Sequence, residues 1–299
     1  MYTHQRKYAP AEALFAEAAQ RDTPNHWLWV NWGELLSMQG KTNLAVGKYY
    51  EAIKRPRTKE TYDRAKLEGY QRYIELQAQR KKFDAVAAAY AKFTAEFGPG
   101  HCFNASYARF MLERGLEPTQ AIEHARRTVD LGCADPRARD VLGVAYYVAW
   151  SQGGAADREE SLNQARVFLP PGPRAIYLLA SSDPTASAAR ALVKRGESID
   201  LKDNAGFTAL AYALEDRNLA VSKRLLRLGA RPDMLVGPND LPVALIPVLA
   251  RDLDAVRFLR SSGFDYAHLK YRGISAADYA RQTGDRALME AIGASTGAT

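Results

Sequence analysis

The chain holds few of the residues and motifs that indicate catalysis. Its 299 residues include two cysteines and five histidines, and the histidines are scattered along the sequence. The G-x-S-x-G, H-E-x-x-H, P-loop and G-x-G-x-x-G patterns are all missing, so the sequence predicts neither an active site nor a cofactor or metal. No stretch approaches the about 18 continuous apolar residues of a membrane helix, and we predict no membrane span.

Composition and charge favour a folded protein whose charge is evenly spread. Hydrophobic residues make up 47% and charged residues 25% of the chain, and its formal net charge is +7. Residues 1–170 carry about +4 and residues 171–299 about +3, which is weak evidence for the basic stripe of a nucleic-acid-binding protein. Local clusters of cations lie near predicted helix ends or on outer helix faces: Lys54, Arg55, Arg57 and Lys59; Arg80, Lys81 and Lys82; and Lys223, Arg224 and Arg227.

Residues 29–56 predict two helices that pack against each other. Large residues recur at helical spacing on the first helix, small residues and a tyrosine face back from the second, and Gly40 supplies the turn. The positions are Trp29, Trp32 and Leu36 on the first helix and Ala45, Tyr49 and Ala52 on the second. With Gly33 after Trp32 and Pro56 at the end, the segment resembles the tetratricopeptide repeat (TPR), whose W-x2-L-G-x2-Y, A-x3-F and P pattern it matches at nearly every place. The resemblance makes Trp29 and Trp32 core residues.

The same pattern extends in both directions from this segment. Residues 62–93, 103–131 and 136–168 resemble further, more divergent units. Residues 8–24 resemble the second helix of a preceding repeat, because three small or aromatic residues lie 34 positions before their counterparts: Ala11, Phe15 and Ala18. We therefore expect a TPR-like domain of about four and a half repeats over residues 1–168. We also expect natural sequence upstream of Met1, such as a targeting segment.

A different period follows the segment LPPGPR at 169–174, whose prolines prevent helix continuation and predict an extended linker. Gly196, Gly229 and Gly263 lie 33 and 34 residues apart, each after a predicted helix that a left-handed glycine can cap. Residues 203–233 resemble the ankyrin repeat, a turn followed by two helices, although Ala209 and Ala211 replace the usual Pro and His of T-P-L-H. We expect about four ankyrin-like repeats over residues 175–299.

The two resemblances together imply an all-α fold, an α-α superhelical double solenoid in which a TPR-like array precedes an ankyrin-like array. Such stacks leave a concave face that binds peptides or proteins. In the TPR-like half the implied contacts are residues beside the core positions: Trp27, Val30, Glu34, Gln71, Glu75, Arg109, Arg137, Asp140 and Tyr147. In the ankyrin-like half they lie at the turn tips: Met234, Leu235, Tyr266, His268 and Tyr271.

For two of the turn-tip residues the sequence leaves a second role open. Packing against adjacent turn tips is an equal alternative for Leu235 and Tyr271.

Chaperone-binding TPR domains line their groove with Lys, Arg and Asn, whereas Val30 and Glu34 occupy the corresponding positions here. We therefore do not predict a chaperone adaptor.

Both cysteines, Cys102 and Cys133, fall in one predicted repeat together with His101 and His124. Zinc is disfavoured, because nine residues separate His124 from Cys133 on one helix, which places them more than about 10 Å apart. The ends of paired helices lie side by side, so a Cys102–Cys133 disulfide is compatible with the fold in an oxidising compartment such as a periplasm. Two buried thiols in a cytoplasmic protein are the alternative.

These observations predict a non-enzymatic scaffold that binds a protein or peptide partner on one or both concave faces. A sharper form of the prediction is a bacterial toxin-neutralising (immunity) or secretion-associated protein. The alanine-rich and arginine-rich composition is associated with a bacterial source, but it provides no mechanism for either role. The alternative class is a nucleic-acid-associated regulator that uses the basic clusters, and an enzyme comes third. The sequence predicts neither the identity of the partner nor the oligomeric state.

Overall fold

Helices account for nearly all of the regular structure. The computed structural model describes residues 8–21, 25–57, 63–98, 101–133, 135–153 and 155–294. Within these ranges lie seventeen helices and two short antiparallel hairpins, which confirms the all-α class. The chain divides into two compact units, Met1–Pro99 and Gly100–Thr299. None of the helices in the described ranges combines the length and apolar character needed to cross a bilayer.

In the first unit, each helix of the described part packs against the next one along the chain, and α2 also contacts α4. Trp29 and Trp32 are 7% and 8% exposed and stack with ring centroids 5.9 Å apart, and Phe15 stacks on Trp32 at 6.2 Å. Both tryptophans are therefore core residues, as predicted. The helices are α1 (Tyr8–Ala19), α2 (His26–Met38), α3 (Thr42–Lys54), α4 (Asp63–Gln79) and α5 (Phe83–Phe97).

The predicted turn and close contact between α2 and α3 are both present. Gly40 has a φ of +72°, the left-handed conformation that glycine adopts at little cost. A Cβ atom on Gly33 would lie 2.6 Å from the ring of Tyr49, so the absence of a side chain at Gly33 lets the two helices approach. Tyr49 is buried together with Ala45 and Ala52.

The second unit begins with long helices and continues with shorter ones joined by turns and hairpins. Its helices are α6 (Phe103–Glu113), α7 (Pro118–Asp130), α8 (Pro136–Gln152), α9 (Ala155–Phe168), α10 (Pro173–Ser182), α11 (Ser187–Lys194), α12 (Ala209–Glu215), α13 (Leu219–Arg227), α14 (Leu245–Leu249), α15 (Leu253–Ser261), α16 (Ala276–Gln282) and α17 (Arg286–Ile292). Strands β1 (Leu235–Val236) and β2 (Leu241–Pro242) form one hairpin, and β3 (Lys270–Tyr271) and β4 (Ile274–Ser275) form the other.

Alternate helices of the second unit lie beside one another. Contacts join α6 to α8, α8 to α10, α10 to α12 and α12 to α14. The intervening helices pack against these alternate helices. As a result, α8 contacts α6, α7, α9, α10 and α11. This arrangement brings the faces of α6, α8, α10 and α12 together, and these faces carry the candidate site described below.

The three glycines predicted to cap helices have left-handed backbone conformations. Gly196, Gly229 and Gly263 have φ values of +109°, +98° and +93° at the ends of α11, α13 and α15. The segment 169–174 lies inside the second unit, because Leu169 is buried against α8 and α10 begins at Pro173. The segment is therefore a tight helix connection, and the division between the units falls between Pro99 and Gly100.

A disulfide joins Cys102 to Cys133, and their Cα atoms are 5.4 Å apart. Cys102 immediately precedes α6, and Cys133 follows the end of α7. The bond therefore ties the start of one helix to the end of the next, at the beginning of the second unit. Neither cysteine carries a thiol in this structure.

Candidate functional site

A cleft of about 350 Å³ opens between four alternate helices of the second unit. It combines charged and aromatic side chains at its rim with aliphatic side chains from α8 and α10. We call it the interhelix cleft. Its lining residues are Arg109 from α6; Arg137, Asp140, Val141 and Val144 from α8; Arg174, Tyr177, Leu178 and Ser182 from α10; Tyr212 from α12; and Asp216, the residue directly after α12.

Helical periodicity explains why these residues share one surface. The four residues from α8 follow the i, i+3, i+4, i+7 spacing that places side chains on one helix face. Arg174, Tyr177 and Leu178 follow the i, i+3, i+4 spacing on α10, and Asp216, directly after the end of α12, lies four residues beyond Tyr212. Because α8 contacts α10 and α10 contacts α12, the three faces join into one wall.

The charged side chains of the cleft are held in ion pairs. Arg174 on α10 lies 2.5 Å from the carboxylate of Asp140 on α8, so the pair links two walls of the cleft. Arg137 pairs with Asp135 at 2.8 Å, just before α8, and Arg109 lies 3.3 Å from Glu113 on its own helix. These pairs orient three guanidinium groups along the rim.

Two tyrosines complete the wall as hydrogen-bond donors. The Tyr177 hydroxyl donates to Asp216, and the Tyr212 hydroxyl donates to Asp203. Burial and then the bond to Asp216 raise the pKa of Tyr177 to about 12. The bond to Asp203 and then burial raise the pKa of Tyr212 to about 12 as well. Both phenols therefore stay protonated near neutral pH, and their ring centroids lie 6.1 Å apart.

A buried carboxylate supports the end of α10, where Ser182 lines the cleft. Asp183 is 6% exposed and accepts hydrogen bonds from the backbone and hydroxyl groups of Thr185 and Ser187. Burial by itself would raise the pKa of Asp183, but the bonds from Ser187 and Thr185 outweigh it and leave that pKa lowered. The ionised side chain thus connects α10 to the first turn of α11.

We expect Asp183→Asn to lower the free energy of unfolding by about 1–3 kcal/mol at neutral pH, because an amide cannot accept all four bonds. Because the folded-state pKa of Asp183 is depressed, its contribution is present above the unfolded value of about 3.9 and is lost as the pH falls through the folded value. Urea denaturation as a function of pH checks this. A stability difference between wild type and variant that persists unchanged below pH ~3 would contradict the assignment.

Three of the predicted contact residues line the cleft, and three others are buried. Arg109, Arg137 and Asp140 are cleft residues. By contrast, the exposed fractions of Val30, Tyr147 and Tyr266 are 2%, 0% and 2%, respectively, so no partner can touch them. The packing around each of these three residues explains its burial.

Val30 lies near Gly69 of α4, in the contact between α2 and α4. Tyr147 donates its hydroxyl hydrogen bond to the carbonyl of Leu169 at 3.1 Å. Tyr266 belongs to the core of the second unit and packs edge-on against Phe264. All three are packing residues.

The remaining predicted contacts are accessible but lie outside the cleft. In the first unit, Trp27 is half-buried, Glu34 is exposed on α2, and the exposed pair Gln71 and Glu75 is joined by a hydrogen bond of 3.2 Å on α4. At the turns of the second unit, two residues are exposed and two are half-buried against the core: Leu235 and His268 are exposed, and Met234 and Tyr271 are half-buried. The His268 ring nitrogen Nδ1 lies 2.8 Å from Asp265.

The cleft also contains residues that the sequence analysis missed. They are Val141 and Val144 on α8; Arg174, Tyr177, Leu178 and Ser182 on α10; Tyr212 on α12; and Asp216 directly after α12. Their helical spacing was available in the sequence. The predicted TPR-like domain ends at residue 168, before α10, and the sequence predicts no contact residues between Tyr147 and the turn tips that begin at Met234.

Most of the basic clusters have partners inside their own unit. Arg55 pairs with Glu51 at 2.8 Å and lies 4.2 Å from the ring centroid of Trp29. Arg224 donates to the carbonyl of Ala180 at 2.6 Å. Lys54, Arg57, Arg80 and Lys223 also contact acidic, amide or aromatic side chains. Lys59 lies outside the described residues.

The histidines and cysteines of the second unit form no metal centre. Both sulfur atoms belong to the disulfide, and His124 packs against the ring of Tyr107 with centroids 5.0 Å apart. In the part of the chain that the structure describes, no group of three or more His, Cys, Asp and Glu side chains is placed to hold a metal ion.

Comparison with known proteins adds no family to this description. No model of a known protein family matches the chain, and a search of curated proteins finds no significant relative.

Proposed function

We propose that this protein is a non-enzymatic interaction scaffold and that a protein or peptide partner binds in the interhelix cleft of its second unit. The observation that carries the proposal is the cleft itself, in which four alternate helices present arginines, tyrosines and aliphatic side chains on one concave surface. Concave sites with a few placed polar groups on an apolar wall are typical of ligand binding. Tyrosine and arginine are also the side chains most enriched in the energetic centre of protein interfaces.

The proposal includes TPR-like stacking in the N-terminal half and ankyrin-like stacking in the C-terminal half. Support comes from the buried consensus positions of α2 and α3 and from the left-handed glycines after α11, α13 and α15. In such stacks each pair contacts its neighbours, so the concave face runs across several repeats. A toxin-neutralising or secretion-associated role remains a prediction within this class.

The disulfide supports an oxidising compartment, such as a bacterial periplasm, as the place where the protein works. Structural disulfides form and persist outside the reducing cytosol. The bond joins the two cysteines of the sequence and leaves neither as a thiol.

Selection of short linear peptides from a random phage-displayed library, with the full chain as bait, tests the proposal. We expect reproducible enrichment of peptides whose affinity falls by about tenfold or more in Tyr177→Ala, because truncation of this residue removes part of the cleft wall. The matched control is Tyr50→Ala, since Tyr50 is 47% exposed on α3 of the first unit. Peptides that bind both variants like wild type, or no enrichment at all, would contradict the cleft as the binding site.

A further inference from the structure

Arginines outnumber aspartates among the residues that line the interhelix cleft. Three arginines and two aspartates line it. The arginine side chains are well exposed, at 58% for Arg109, 78% for Arg137 and 64% for Arg174, whereas Asp140 is only 17% exposed. Asp216 is exposed, and one of its two carboxylate oxygens accepts the hydrogen bond of the Tyr177 hydroxyl. A ligand that enters the cleft therefore meets three exposed guanidinium groups and one exposed carboxylate, that of Asp216.

These guanidinium groups retain hydrogen-bonding capacity. An arginine has five N–H donors, and Arg174 uses one nitrogen, Nη2, for Asp140. Arg137 uses Nε and Nη2 for Asp135, which leaves Nη1 without an acceptor among the residues that the structure describes. A carboxylate from outside can thus be bound without breaking either ion pair, and bonds of this charge-assisted kind are the strong ones.

An apolar surface lies directly beside the arginines. Val141 follows Asp140 on α8 and Leu178 follows Tyr177 on α10, and both side chains are half-buried, so that part of each is accessible. The two tyrosine rings extend this surface toward α12. An aliphatic or aromatic side chain next to the bound carboxylate would bury apolar area here.

We infer that the interhelix cleft recognises a partner segment in which Asp or Glu side chains stand next to large apolar side chains. The inference rests on the proposed function and adds the chemical class of the partner. A nucleic acid fits less well, because Asp140 and Asp216 would repel successive phosphates and the aliphatic side chains of Val141 and Leu178 offer phosphates no polar contact.

The test uses three fluorescein-labelled peptides with the full-length protein in fluorescence polarisation. The first alternates glutamate with leucine and phenylalanine, the second has glutamine at every glutamate position, and the third has lysine there. We expect the glutamate peptide to bind at least about tenfold more tightly than the glutamine peptide, since charge-assisted hydrogen bonds contribute this much. The lysine peptide should bind weakest.

The double variant Arg109→Gln/Arg137→Gln should remove the preference for the glutamate peptide and leave the Arg174–Asp140 pair in place. Its matched control is Arg195→Gln, because Arg195 is a half-exposed arginine in an ion pair with Glu159 outside the cleft. Circular dichroism of both variants verifies the fold. The single variant Arg174→Gln should also lose the preference for the glutamate peptide, which makes it a second, independent test.

The outcomes separate this inference from the proposed function. Equal binding of the glutamate and glutamine peptides, with loss of both in Tyr177→Ala, would overturn the acidic preference and keep the cleft as a peptide site. Tighter binding of the lysine peptide, no binding of the glutamate peptide, or its displacement by duplex DNA would also overturn the inference. Failure of the phage selection would count against the proposed function itself.

Discussion

Replacement of both Cys102 and Cys133 by serine should lower the free energy of unfolding of the second unit by about 3–4 kcal/mol. The disulfide spans a sequence separation of 31 residues, and chain-entropy arguments assign a stabilisation of this size to the closure of such a loop. The bond joins Cys102, directly before α6, to Cys133, which follows the end of α7. Its loss should therefore loosen the helix that carries Arg109.

Hydrogen exchange followed by mass spectrometry checks this prediction by region. Peptides from α6 and α7 should exchange faster in Cys102→Ser/Cys133→Ser, whereas peptides from α2 and α3 of the first unit serve as the internal control. Wild type treated with a reductant should behave like the double variant. Two reactive thiols in denatured, unreduced protein, or unchanged exchange in α6 and α7, would show that the bond does not form.

Replacement of Lys66 by methionine should destabilise the first unit by about 2–4 kcal/mol. The side chain of Lys66 is 1% exposed and bonds the carboxylate of Glu96 and the carbonyl of Arg55. Tyr70 donates to the same carboxylate at 2.7 Å. Removal of the ammonium group leaves the partly buried carboxylate of Glu96 without its counter-charge. The resulting loss of folding free energy is larger than the net stabilisation that the intact ion pair provides.

A double-mutant cycle with Glu96→Gln separates these contributions. We expect Lys66→Met/Glu96→Gln to be less destabilised than the sum of the two single variants by about 1 kcal/mol or more, because the groups are in direct contact. Urea unfolding supplies the free energies. Additive effects would mean that the pair is not coupled in the folded protein.

Amphipathic helices and their turns were predictable from the sequence, since their signals are local. Trp29 and Trp32 lie three residues apart on one helix face, and glycines at 196, 229 and 263 mark helix ends. Both patterns depend on backbone geometry within a few residues, and the structure contains them. The row of Arg137 and Asp140 on one face of α8 is of the same kind.

Contact residues were less predictable where a helix is buried on more than one side. Residues 142–148 of α8 are all buried, because five other helices surround this helix. A helix that is apolar over most of its circumference has no single core face. The prediction that Tyr147 contacts a partner presupposes one buried stripe on α8, whereas the side chain is fully buried.

The sequence by itself determined the helical class, the helix boundaries marked by glycine and proline, and the faces on which Arg109, Arg137 and Asp140 lie. These properties follow from the 3.6-residue period and from local backbone preferences. Only the tertiary structure decided that α10 and α12 continue the wall begun by α6 and α8, and that Arg174 pairs with Asp140 across it. Such pairings join residues 34 positions apart, and they depend on how helices pack, which local periodicity does not encode.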